Sequence, residues 1–65
     1  MNEADVFDYA TAKARRIMAN STNFTRRTDA MGAAHAIFMK YGYDDAEARI
    51  LADGIVAILV EGPAQ

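Results

Sequence analysis

The chain has no cysteine and no tryptophan, and only one histidine and one proline. Without cysteine there is no disulfide, no thiolate metal ligand and no thiol nucleophile. A single histidine cannot furnish a histidine-rich metal site. The longest strictly apolar run is Ile55 to Val60, far short of the roughly 18 residues a membrane-spanning helix needs. The opening residues, Met1-Asn2-Glu3-Ala4-Asp5, are acidic, unlike the basic start of a secretory or organellar leader. Together these features set the expectation of a cytoplasmic protein that makes no membrane contact. No phosphate-binding glycine loop, dinucleotide fingerprint, EF-hand, zinc motif or nucleophile elbow occurs. The expectation is a non-enzyme with no cofactor and no metal.

What the chain does have is the makeup of a folded domain. Of its 65 residues, 52% are hydrophobic and 25% charged, with a net charge of −2. That balance argues against disorder, and the length allows one small domain over residues 1–65. A chain this short buries only about 60% of its unfolded surface. A monomer without disulfide or metal is therefore marginal, and self-association would help it.

Three amphipathic segments follow one another. In the first, about 3–20, Val6, Phe7, Ala10, Ala14, Ile17 and Met18 share a third of a helical wheel. Asn2 is placed as its N-cap. Its acids come early and its bases late, matching the macrodipole. Asn20-Ser21-Thr22-Asn23 then breaks the pattern, because these side chains compete for the backbone. In the second segment, about 24–41, Met31, Ala34, His35, Phe38 and Tyr41 form the stripe. Its start lies at Phe24 or Thr28, since the earlier start brings Arg27 onto the apolar side. Gly42 follows as the left-handed residue that closes a helix.

The third segment, about 45–61, begins at Asp44-Asp45-Ala46-Glu47, a capping-box pattern, and stops at Gly62-Pro63. Ile55 to Val60 also reads as a buried strand bounded by glycines, but a lone strand has no partner in this chain. As a helix, the segment is apolar nearly all round. Ile50, Val56 and Val60 lie away from the main stripe and suggest a homodimer face. The expected fold is an all-α bundle of three helices.

The densest charge group is Asp44, Asp45 and Glu47; a second is Glu3, Asp5 and Asp8. Helix capping accounts for much of the first. Tyr41 and Tyr43 flank the inter-helix turn, either stapling it or standing out as an aromatic anchor. His35, beside Met31 and Phe38 on the stripe, reads as a satisfied, partly buried histidine. Ser21 and Thr22 read as turn or cap residues.

The stretch Ile37-Phe38-Met39-Lys40-Tyr41-Gly42-Tyr43-Asp44-Asp45-Ala46-Glu47-Ala48-Arg49-Ile50-Leu51 resembles a helix-turn-helix, with glycine in the turn and small or apolar residues at Ala48 and Leu51. The resemblance implies a DNA-binding regulator using Arg15, Arg16, Arg26 and Arg27. The residues that would meet phosphates, however, are Asp44, Asp45 and Glu47, which repel them, so direct nucleic-acid contact is not the expectation. The Gly42-Tyr43…Ala48…Leu51 spacing is also similar to the loop and second helix of a ubiquitin-associated domain, whose remaining pattern is missing.

Reversing the charge argument leads elsewhere. Carboxylates at helix ends suit a basic, nucleic-acid-binding groove on another protein. In size, acidity and lack of cysteine or catalytic motifs, the chain is similar to the small phage-encoded anti-CRISPR inhibitors. That likeness is one of type, and no residue is carried over from it. It implies a DNA mimic that acts by protein–protein contact. The residues expected to make that contact are Tyr41, Tyr43, Asp44, Asp45, Glu47, Glu3, Asp5 and Asp8.

Overall fold

A computed structural model describes residues 2–19 and 24–61 of the chain. They form three α-helices, α1 (Glu3–Ile17), α2 (Phe24–Lys40) and α3 (Asp45–Glu61). Among the described residues there is no strand, so Ile55 to Val60 belongs to α3. The expected all-α three-helix bundle is the fold. The segments Asn20-Ser21-Thr22-Asn23 and Gly62-Pro63, read as breaker and stop, lie outside the described residues.

Each helix end follows from local chemistry. Asn2 caps α1, its Oδ1 accepting from the Asp5 N–H at 2.9 Å. The helix ends at Ile17, short of the residue 20 that the pattern suggested. Met18 leaves helical geometry at φ −93° and ψ 4°, and the Ala19 N–H reaches only back to the Arg16 carbonyl at 3.3 Å. α2 takes the earlier of its two starts, and Arg27 stays exposed at the rim of an α2–α3 cleft that Met31, Asp53 and Val56 also line.

The end of α2 is a Schellman closure. Gly42 stands at φ +98°, which only glycine adopts without strain. The Gly42 N–H then donates to Met39 O and the Tyr43 N–H to Phe38 O, both at 3.1 Å. This motif carries a hydrophobic contact between the residue after the glycine and the one five positions earlier. Here the contact is aromatic, with the Tyr43 and Phe38 rings edge to face and 5.2 Å between centroids. Tyr43 therefore staples the turn. The next residue, Asp44, caps α3, its Oδ1 accepting from the Glu47 N–H at 2.8 Å.

α2 is the shared wall of the bundle, packed on α1 and on α3, while α1 and α3 touch each other little. Six core positions are alanines with no exposure at all: Ala10, Ala14, Ala30, Ala34, Ala48 and Ala52. Alanine at a helix contact lets backbones approach closely, towards the short end of the about 8–10 Å interaxial range. Phe38 and Ile55, the largest fully buried side chains, fill what remains. Val56 is 4% exposed and lies in this core, which corrects its assignment to a dimer face. It turns inward because α3 meets its neighbours over a broad arc from Leu51 to Val60, and Val60 itself is half-buried against the core. Of the three residues suggested for that face, only Ile50 stands out into solvent, at 73% exposure.

Two substitutions test this account. Phe38→Ala should cost about 3–5 kcal/mol. That is comparable with the whole stability of a domain this size, roughly 3–10 kcal/mol, so circular dichroism at 25 °C should show largely unfolded protein. Gly42→Ala should cost about 1–2 kcal/mol and lower the thermal midpoint by several degrees while leaving the helical spectrum intact.

Candidate functional site

The first turn of α1, the α2–α3 turn and the first turn of α3 meet at one end of the bundle. Because α1 and α3 barely touch, a groove opens between them above α2. At its mouth is a cleft of about 360 Å³ lined by Asn2, Glu3, Val6, Tyr41, Gly42, Tyr43 and Glu47. It continues into a second cleft of about 290 Å³, with Glu3, Ala4 and Phe7 on the α1 bank and Glu47 and Leu51 on the α3 bank. Phe38 and Tyr43 complete the lining. The Phe7 and Phe38 rings lie 6.3 Å apart, tilted by 53°. The groove thus joins an aromatic lining to two carboxylates on facing banks.

Tyr43 reports this electrostatic setting. Its hydroxyl pKa is raised above the ordinary tyrosine value, first by desolvation and then by the negative charges of Glu3 and Glu47. Tyr41, 40% exposed, stands at the rim, with the Lys40 ammonium 5.9 Å from the centre of its ring, within cation–π range.

The residues expected to make contact are not all gathered here. Glu3, Tyr41, Tyr43 and Glu47 are. Asp44 is engaged as the cap of α3. Asp45 lies towards α2, where its Oδ1 is 2.8 Å from His35 Nε2 and its Oδ2 accepts from Arg49 Nη2 at 3.1 Å. An ionised carboxylate only accepts, so Nε2 carries the proton of that bond. His35, read from the sequence as satisfied and half-buried, is so, with a side chain 26% exposed. Asp5 and Asp8 are exposed and, at about 100° per residue, project from the side of α1 opposite to Val6, Ala10 and Ala14. They stand apart from Glu3.

Asp45 has a pKa below the ordinary carboxylate value, first through the His35 hydrogen bond and then through the Arg49 charge. A pKa lowered by folding adds stability above the unfolded value and loses it as pH falls through the folded one.

The sequence missed the groove because its banks, Glu3 and Glu47, are distant along the chain. The signal that was available is topological. In an up-down-up bundle with short connections, the first and third helices start at the same end. The same topology puts Arg15 and Arg16, in the last turn of α1, at the other end, with Arg26 and Arg27 in the first turn of α2. These arginines lie about 20 Å along the helix axes from the start of α3.

Among the described residues, no group of three or more metal-ligating side chains occurs, and no helix is long and apolar enough to cross a membrane. Comparison with known protein families, curated proteins and solved structures finds no match.

Two titrations check the site. Glu3→Gln combined with Glu47→Gln should lower the pKa of one of the three tyrosines, followed by absorbance at 295 nm, and Tyr43→Phe should remove that transition. Thermal melts between about pH 2 and 5 should show the wild type losing stability on acidification more steeply than Asp45→Asn.

Proposed function

We propose that this chain is a non-catalytic protein-binding module of the cytoplasm whose α1–α3 groove receives basic side chains from a partner protein. The observation that carries this reading is the facing pair Glu3 and Glu47 above an aromatic lining. A lysine or arginine has an apolar stem and a cationic head. In such a groove the stem would lie along Phe7 and Leu51, and the head would meet two carboxylates and the rims of Tyr41 and Tyr43. Arginine suits it best, since its planar head pairs with carboxylates and stacks on rings. Asp5, Asp8 and Asp44 extend the negative field beyond the groove and favour encounter with a cationic surface.

Surfaces that hold nucleic acid are rich in arginine and lysine. The chain would then act as a small inhibitor of the anti-CRISPR type, occupying the partner's nucleic-acid site in place of phosphates. The helix-turn-helix reading gains no support from the geometry. The start of α3, which that motif would lay against DNA, carries Asp44, Asp45 and Glu47, and the four arginines lie far from it.

The test is competition. Added to RNA-guided nucleases and to other proteins with basic nucleic-acid channels, the chain should displace the nucleic acid from its target. Glu3→Lys combined with Glu47→Lys should abolish displacement while the protein stays helical. Asp44→Ala should lower stability by about 1 kcal/mol yet still displace. Displacement unaffected by the double lysine variant would sink the groove reading. Direct, salt-sensitive binding of duplex DNA that is lost in Arg26→Ala with Arg27→Ala would replace it with the regulator.

A further inference from the structure

α1 and α3 run in the same direction and bring matching pairs of side chains to the two banks of the groove. On α1, Glu3 is followed four residues later by Phe7, and on α3, Glu47 is followed four residues later by Leu51. Residues at this spacing lie above one another on one face of a helix, about 6 Å apart along its axis. Each bank therefore presents a carboxylate at the mouth and an apolar side chain one turn further in. Phe7 is 39% exposed and Leu51 is half-buried. The stem of a single arginine, three methylenes long, covers only part of that apolar pair.

We infer that the groove selects an amphipathic helix of the partner, with a large apolar residue four positions before an arginine or lysine, docked antiparallel to α1 and α3. This rests on the groove reading proposed above and adds to it the kind of segment and its direction. The register carries the inference. In a helix running against α1 and α3, an apolar residue followed by a basic one at the fourth position repeats the spacing of both banks in reverse. The basic head meets Glu3 and Glu47. The apolar residue and the basic stem together cover Phe7 and Leu51. Opposite charges and apolar surfaces are thus matched over the same turn.

Helix dipoles choose between the two directions. The starts of α1 and α3 are positive ends, and an antiparallel helix brings its negative end to them. A cation in the last turn of that helix is also stabilised by the helix that carries it. A parallel helix would set three positive ends together, and it would hold its cation in a first turn, where its own dipole disfavours it.

The contact spans about two helical turns, well short of the roughly 800 Å² per partner of a standard interface. A free peptide should accordingly bind with a dissociation constant between about 10 µM and 1 mM.

The probe is an alanine-based helical peptide of about 18 residues, with leucine four positions before an arginine in its last turn. It is titrated into the isotope-labelled chain and followed by NMR. Replacing the peptide's leucine by glutamine, which leaves the protein untouched, should weaken binding roughly tenfold. A nitroxide at the peptide's C-terminus should broaden the amides in the first turns of α1 and α3, and not those of Arg15, Arg16 and Glu61. Equal binding of the leucine and glutamine peptides would overturn this inference and leave the groove's preference for a basic residue standing. Broadening at Arg15, Arg16 and Glu61 instead would overturn the antiparallel direction, and a leucine–arginine peptide that does not bind at about 1 mM would overturn the inference whole. Binding undiminished by Glu3→Lys with Glu47→Lys would overturn the groove reading as well.

Discussion

Close approach of helix backbones over alanine is the constraint on which this small fold depends. A chain of 65 residues has few large side chains with which to build a core. It places methyl groups at the helix contacts, two from each helix, and every one is fully covered. Helices drawn together this way enclose their few larger residues, Phe38 and Ile55 foremost. Enlarging any of these alanines would push a helix outward, and overpacking of this kind destabilises as surely as a cavity does. The bundle thus has a narrow tolerance where its helices cross and a wide one elsewhere.

That packing also shapes the surface. Since α2 serves as the wall for both neighbours, α1 and α3 stand side by side without closing on each other, and the space between their first turns becomes the groove. Its chemistry comes from helix ends. The starts of α1 and α3 are positive dipole ends that favour carboxylates, and Asp45, Glu47, Glu3 and Asp5 occupy those first turns. What stabilises the helices also gives one end of the molecule its negative field. Meanwhile Tyr43 has two roles. It closes the α2 terminus against Phe38 and it lines the groove together with Glu3 and Glu47.

Local features of the fold were legible in the sequence. The three helices, the Asn2 and Asp44 caps and the left-handed Gly42 follow from side chains acting within a few residues of themselves, and a linear reading reaches that far. The helical state of Ile55 to Val60 followed from the lack of any partner strand. Features that depend on the chain's return were not legible. The pairing of His35 with Asp45 spans the turn, and Glu3 and Glu47 meet only through the whole up-down-up path. The wheel of α3 shows an excess of apolar surface but does not say which part of it α2 covers, so it points Val56 outward, whereas Val56 is inside. Asp5 and Asp8 were grouped with Glu3 by proximity in sequence, although the helical angle already separated them.

The position of α2 between its two neighbours bears on how the chain reaches this state. Nearly all tertiary contacts join segments that are consecutive in sequence, and the terminal helices contribute little to each other. Loop closures are short, so little entropy is lost before contacts form. Domains of such low contact order fold on the microsecond to millisecond scale. Either helical hairpin can nucleate first, and a nascent chain emerging from the ribosome can begin folding once its second helix is out.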